Sequence, residues 1–274
     1  MSTAADHIPA AVKPGQAAPL RFVTAASLFD GHDAAINIMR RLIQGHGTEV
    51  IHLGHNRSVA DVVRAAIQED ADAIALSSYQ GGHNEYFRYM VDMLAEQGAG
   101  HIRIFGGGGG TITPEEIAAL QDYGVERIYH PNDGAKLGLT DMIADVIART
   151  ESHRLPLALP AADGDGDTAI ARQLSALEDG LYDNAQLEQL RLEWQVRAGA
   201  VPVIGITGTG GAGKSSVTDE LVSRCLQYLP DLRIAVVAVD PTRRRTGGAL
   251  LGDRIRMNSL RSPRVFMRSF ATRR

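Results

Sequence analysis

Two short stretches of this chain gather residue types that do chemistry. The first is Asp30-Gly31-His32-Asp33, an imidazole between carboxylates, directly after the apolar run 20–26. An imidazole nitrogen is a good ligand for a borderline transition metal. A metal-bound histidine usually donates its other ring N–H to a carboxylate, and Asp30 stands two residues away to accept it. The second stretch, GTGGAGKS at 208–215, satisfies the phosphate-loop pattern G-x-x-x-x-G-K-[ST]. Such a loop, here Gly208, Gly211, Ala212 and Gly213 leading to Ser216 in a helix, turns backbone N–H groups toward phosphate at a helix N-terminus. Lys214 would neutralise β- and γ-phosphates, and the Ser215 hydroxyl would coordinate Mg²⁺.

The surrounding pattern says what must hold these groups. From 20 to 148 the chain alternates β-branched apolar runs (20–26, 49–53, 73–77, 102–106, 127–130) with amphipathic stretches (33–45, 58–69, 84–97, 114–123, 136–148). Five strands, each followed by a helix, predict a parallel sheet covered on both faces. Ser58 is placed to cap the second helix, and Thr113-Pro114-Glu115-Glu116 reads as a capping box with proline at the first helical position. We read 20–150 as a flavodoxin-like (Rossmann-like) α/β domain whose ligands belong at the carboxyl ends of the strands. His32 follows the first strand, Ser77 ends the third, and Gly106-Gly107 end the fourth, so all fall on that rim.

Outside this domain the pattern changes. Residues 1–19 are expected to be a disordered leader without an export segment. The Pro-, Ala-, Gly- and Asp-rich stretch 151–167 reads as a linker. Over 168–198 the spacing predicts a helical segment whose face of Leu174, Leu177, Leu181, Leu187, Leu190 and Trp194 either packs on the next unit or pairs with a partner outside these residues, packing being favoured. From 199 a second α/β unit begins, with strand 201–207, the phosphate loop, helix 214–228, a strand ending in Asp240 and a further strand near 264–271. Two or three strands are few for a nucleotide-binding domain. The stretch 199–274 is therefore expected to be the N-terminal part of a P-loop NTPase domain. Residues 241–274 hold ten arginines against one acid, Asp253, as expected of a surface whose neighbours lie elsewhere.

The histidine motif and its companions resemble the cobalamin-binding family, whose pattern is Asp-x-His-x-x-Gly, then Ser-x-Leu, then Gly-Gly. Here 41 residues (36–76) separate the first motif from Ser77, and 26 (80–105) separate the second from Gly106-Gly107. Taken singly, a histidine after a strand is most often a polar loop residue, and a glycine run most often a turn. Together the spacing carries the resemblance. It implies that His32 ligates cobalt from below within the Asp30-Gly31-His32-Asp33 loop. It also implies that Ser77 hydrogen-bonds a buried heterocyclic tail and that Gly106 and Gly107 let a bulky ligand approach the backbone. Ala35 stands where the family has Gly, and Tyr79 where it has Leu. Tyr79 is expected to pack beside the tail, and His83 either to cap the following helix, the favoured reading, or to face the corrin.

The run AVDPTRRRTGGALLGDRIRM resembles the metallochaperone GTPases that service cobalamin enzymes. The resemblance implies that Asp240 and Asp253 lie around Mg²⁺, that Arg256 reaches the nucleotide, and that the nucleotide is GTP. The two units in this order, over 20–274, resemble the fused isobutyryl-CoA mutases. That resemblance implies interconversion of isobutyryl-CoA and n-butyryl-CoA by radical rearrangement on adenosylcobalamin, initiated by cobalt–carbon homolysis. The GTPase, with GTP and Mg²⁺, would gate cofactor loading. It further implies an acyl-CoA substrate held by a barrel that these residues do not contain, and a homodimer. The present residues are expected not to catalyse alone. Two other readings stay open. A corrinoid methyl carrier shares the motif but would show a helical cap before the first strand. A non-enzymatic cobalamin delivery or sensing protein would lack a barrel altogether.

Bulk composition narrows the classes. A formal net charge of -4 argues against a general nucleic-acid binder. The single cysteine, Cys225, excludes an intramolecular disulfide and fits a reducing cytoplasm. No apolar run approaches the roughly 20 residues a membrane helix needs.

Overall fold

The computed structural model describes residues 18–31, 33–156, 158–160, 166–199, 201–241 and 248–272. The first unit alternates β1 (Arg21–Ser27), α1 (Asp33–Gly45), β2 (Glu49–Arg57), α2 (Val59–Gln68), β3 (Ala73–Ser77), α3 (His83–Glu96), β4 (Arg103–Gly107), α4 (Pro114–Tyr123), β5 (Arg127–Tyr129) and α5 (Pro131–His153). Then follow α6 (Asp167–Glu178), α7 (Asn184–Ala198), α8 (Lys214–Tyr228), β6 (Ile234–Pro241), β7 (Ala249–Leu251) and β8 (Val265–Thr272).

All five expected strands pair in parallel, in the order β5-β4-β3-β1-β2. That is the flavodoxin-like order, which reverses direction beside β1 and opens a crevice at the carboxyl ends there. Every residue of β1 and β3 is buried, as apolar strands covered on both faces require. Val62, Val63 and Ala66 of α2, with Phe87, Met90 and Leu94 of α3, fill one face. Ile43 of α1 and Met142, Ile143 and Val146 of α5 fill the other. The local signals work as their chemistry dictates. Ser58 accepts from the Asp61 N–H at 3.1 Å, and Thr113 and Glu116 form a reciprocal capping box with Pro114 inside the helix.

Four expectations need correction. The helix expected at 136–148 begins at Pro131, and Gly138, at φ 77°, interrupts it. The single helix expected over 168–198 is two, because Gly180 takes a left-handed φ of 67° and Asp183 starts a new capping box. Of these, α6 buries Ala171 and Ala176, whereas α7 buries no residue and leaves Leu192 and Trp194 exposed. The expected strand 201–207 carries no strand pairing, and Val203 and Ile204 are almost fully exposed. A strand exists only by pairing, and among the described residues no edge receives this one. Finally, β7 was not expected at all. It extends the first sheet by pairing with β2 from Glu49↔Ala249 to Ile51↔Leu251. Gly248 permits this approach, since a Cβ there would stand 2.3 Å from the Gln44 carbonyl oxygen.

Below the sheet, at the amino ends of β1 and β3, charged side chains meet out of water. Arg21, Glu49, Glu69, Arg254 and Arg268 are each at most 5 % exposed. Arg21 binds Glu49 at 2.8 Å and Glu178 at 2.6 Å, and Arg254 binds Glu69 at 2.6 Å. Arg268 donates to the Ser175 hydroxyl at 2.7 Å. Burial first, and Arg21 next, bring the Arg268 guanidinium down to about 10. The second unit is thus fastened to the first both by a strand and by buried ion pairs.

Candidate functional site

The carboxyl ends of β3, β4 and β5, with α1 and α5 as walls, enclose a cavity of about 380 Å³. Ser77, Tyr79, Gly106 and Gly107 line it together, as do Ile36 and Met142 from the two helices. Its surface is largely apolar, with few polar groups, the usual make-up of a small-molecule site. One of those groups is conspicuous. The Ser77 hydroxyl oxygen is buried and makes no hydrogen bond among the described residues. Buried polar groups are ordinarily satisfied, so this hydroxyl suits a ligand atom brought into the cavity. A flat heterocycle with one ring nitrogen fits that combination of apolar wall and single donor. The residues present therefore suit the tail of a cobalamin.

The loop after β1 is tied to this rim. Asp30 is completely buried, and its Oδ2 accepts the Tyr79 N–H at 2.8 Å. Asp30 therefore joins the β1 and β3 loops, a task beyond the partnership with His32 expected of it. Beside it, Ser27 donates to the Ser78 hydroxyl at 2.9 Å, both buried. Gly31 is exposed, and Asp33 opens α1. His32 lies outside the described residues. Sequence reasoning missed Phe29, which takes φ 64° and is 79 % exposed while its N–H donates to Asn56 Oδ1 at 2.9 Å. Asn56 is itself left-handed, at φ 55°. Only Asn56, of a type enriched in this region, carried a signal for that geometry.

Gly106 and Gly108 have a packing reason of their own. A Cβ on Gly106 would stand 2.5 Å from Phe87 Cζ, and one on Gly108 would stand 2.0 Å from the Ser78 carbonyl oxygen. These glycines let the protein's own chain close around the cavity. His83 does not cap α3, where Gly82 in the left-handed region is the N-cap. It is buried, with Nε2 3.2 Å from Glu116 Oε2. The Glu116 carboxyl is held down to about 2, chiefly by the Thr113 N–H, with Asn84 and His83 adding to it.

The phosphate loop is differently built. Gly208, Gly211, Ala212 and Gly213 are exposed, and Gly213 at φ 82° is the N-cap of α8. Lys214 Nζ donates to the Gly208 and Thr209 carbonyl oxygens, each at 3.0 Å. Ser215 donates to Asp253 Oδ1 at 3.0 Å. Asp240, at the end of β6, has its pKa raised by burial and then by Asp253, so the two carboxylates stand close enough to repel. One hydroxyl and two carboxylates suit Mg²⁺, which takes one or two protein carboxylates and completes its shell with phosphate and water. No group of three His, Cys, Asp or Glu among the described residues suits a metal. Ser216 and Arg256 are exposed, Arg256 ending the 3-10 turn Asp253–Arg256.

Comparison with known proteins now bears on both sites. Residues 20–137 match the B12 binding domain family, and 170–274 match the methylmalonyl Co-A mutase-associated GTPase MeaB family. The fused isobutyryl-CoA mutase of Cupriavidus metallidurans is 57% identical over 275 residues, spanning 99% of this chain and 25% of that protein. That of Geobacillus kaustophilus is 57% identical over 93% of this chain and 24% of its own length. The 2-hydroxyisobutanoyl-CoA mutase small subunit of Aquincola tertiaricarbonis is 31% identical, matching 47% of this chain and 93% of that subunit. The chain thus spans about a quarter of the length of the fused relatives it matches. With a B12-binding domain ahead of a MeaB-type GTPase region and this similarity along nearly its whole length, the chain belongs to the fused isobutyryl-CoA mutase family.

Proposed function

We propose that this chain is the cofactor-holding and nucleotide-responsive portion of an adenosylcobalamin-dependent mutase that interconverts isobutyryl-CoA and n-butyryl-CoA. The single observation that carries this reading is the unsatisfied Ser77 hydroxyl in an apolar cavity at the carboxyl ends of the strands. When bound, the cofactor supplies radical chemistry through its cobalt–carbon bond. The chain's own work is to hold it. Ser77 would donate to the heterocyclic tail while Tyr79 and the α1 and α5 side chains exclude water from it. His32 would ligate cobalt, with Asp30, Gly31 and Asp33 shaping its loop and Gly106 and Gly107 forming the cavity wall.

In the second unit, the loop Gly208–Gly213, Lys214 and Ser216 would hold GTP phosphates. Ser215, Asp240 and Asp253 would surround Mg²⁺, and Arg256 would reach the nucleotide. The acyl-CoA substrate would bind a barrel contributed by residues outside these 274, in a homodimeric protein of the cytoplasm. No helix of the described residues is long and apolar enough to cross a membrane.

The test is an ultraviolet–visible titration of the chain with adenosylcobalamin, beside His32→Ala. A base-off, histidine-on spectrum that disappears in the variant is expected. No spectral change, with circular dichroism showing the chain folded, overturns the reading.

A further inference from the structure

The turn Asp253–Arg256 serves both units at once. Asp253 accepts from Ser215 of the phosphate loop at 3.0 Å. Its neighbour Arg254 points the other way, into the first unit. There its Nε binds Glu69 at 2.6 Å and its Nη2 donates to Gln68 Oε1 at 3.0 Å, both at the end of α2, while Nη2 also donates to the Met267 carbonyl oxygen of β8. Glu69 is completely buried. Its remaining partners are the Ser269 N–H and hydroxyl, each at 3.0 Å, and Arg21 at 3.6 Å. Gln68 also accepts from the Met267 N–H at 3.2 Å. Beyond Glu69, the Asp72 carboxylate accepts the Arg21 N–H at 2.8 Å, at the start of β1 and just before β3. Those two strands run to Asp30 and Ser77 at the cofactor rim.

We propose that Arg254 is a nucleotide-sensitive latch between the phosphate loop and the cobalamin domain. This rests on the reading of both sites given above. The physical argument has three parts. Asp253 and Arg254 are consecutive, about 3.8 Å apart at Cα, in a four-residue 3-10 turn too short to absorb a shift of one end. A Mg²⁺ ion engaging Asp253 demands metal–oxygen distances near 2.0–2.1 Å, in place of the direct hydroxyl contact at 3.0 Å. Any such rearrangement is carried into Arg254. Glu69, in turn, would keep Arg21 at 3.6 Å as its cation if Arg254 withdrew, and weakening the pairing of a buried charge is strongly disfavoured. The contact is therefore made or broken as a unit, the two-state element that coupling between sites requires. Making it holds β1 and β3 from their amino ends, and breaking it lets the sheet beneath the cavity relax.

Coupling of this kind is reciprocal and typically amounts to about 5- to 150-fold in affinity. The experiment measures adenosylcobalamin affinity of the 274-residue chain without nucleotide, with Mg·GDP and with Mg and a non-hydrolysable GTP analogue. It is then repeated on Arg254→Met and Arg254→Lys. In the parent chain at least one nucleotide is expected to shift cobalamin affinity roughly tenfold. In Arg254→Met both ligands should still bind, that shift should fall within twofold, and cobalamin affinity should stay at the unlatched value with or without nucleotide. Arg254→Lys, which keeps the charge but loses the fork, should restore part of it. A full shift in Arg254→Met overturns the latch, as does no shift in a parent chain that binds both ligands. If the parent chain fails to bind one of the ligands, the proposed function itself falls, and the latch with it. Should Arg254→Met fail to fold, hydrogen exchange on the parent chain decides. Nucleotide must alter protection at 68–72 and 265–269, and unchanged protection there overturns the proposal.

Discussion

The cavity beneath Ser77 and the phosphate loop before α8 are two ways of building a ligand site. The first is assembled from three strand ends and two helices, on a sheet whose central strands are wholly buried. Its glycines are pressed against Phe87 and the Ser78 carbonyl, so its shape is over-determined. The second is one continuous loop, exposed to water, beside a two-stranded sheet of β6 and β8. Ser215 reaching Asp253 is the contact that ties its chemistry to the rest of the chain. The difference teaches that a motif readable in eight consecutive residues draws its chemistry mainly from backbone direction, whereas a cavity draws it from packing.

Four measurements would break or sharpen that contrast, and the largest effect falls on the cavity wall. Gly108→Ala places a methyl group 2.0 Å from a backbone oxygen, which a rotamer change cannot relieve. We expect it to destabilise the chain by about 3 kcal/mol, the upper range for overpacking, as read by urea denaturation. An unchanged midpoint would show the wall to be more pliant than its contacts imply.

Lys214→Ala should do the reverse. It removes two exposed contacts to loop carbonyls, so the denaturation midpoint should hold. Affinity for Mg·GDP should fall by about 2 kcal/mol, as for loss of a charge-assisted hydrogen bond. Calorimetric titration checks it, and a destabilised fold with intact nucleotide binding would reverse the comparison.

Ser77→Ala comes next. Its hydroxyl has no partner among the described residues, so its removal should leave stability unchanged or slightly improved. Cobalamin affinity should drop by about 1 kcal/mol, the ordinary worth of one hydrogen bond. Equal affinity in the variant would mean that the hydroxyl faces no ligand atom.

The smallest effect is one of pH. Burial and then Asp253 raise the Asp240 pKa. The folded state therefore holds its proton at pH values where the unfolded chain has released it. The stability this contributes is full below the unfolded pKa and is lost as pH rises through the raised value. In the absence of Mg²⁺ we expect melting temperature to decline across that window and the decline to flatten in Asp240→Asn. On the proposed function Mg²⁺ would bind the ionised pair, so adding it should offset the decline. A parallel slope in parent and variant would separate Asp240 from Asp253.

Much of the first unit was legible in the sequence because its signals are local. The five β-branched runs, the Ser58 cap and the Thr113 box depend on neighbours within a few residues, and each appears as expected. The second unit shows where such reasoning stops. Residues 201–207 have the composition of a strand, yet no described partner pairs with them. Ala249–Leu251, three residues in an arginine-rich stretch, became a strand because the free edge of β2 was available. Likewise the face of 168–198 was apolar by period, but among the described residues α7 has no buried side chain.

The sequence by itself determined which groups this protein can offer. It set an imidazole after the first strand, a hydroxyl at the end of the third, a glycine run after the fourth, and a phosphate loop ahead of a helix. Types and spacings are covalent properties, so they hold whatever fold the chain takes. The tertiary structure alone decided what those groups do. It assigned Asp30 to the Tyr79 N–H, Gly108 to the Ser78 carbonyl, and Arg254 to a glutamate 185 residues away. Such assignments turn on distances between segments remote in sequence, fixed by close packing and by the cost of leaving buried charge unpaired.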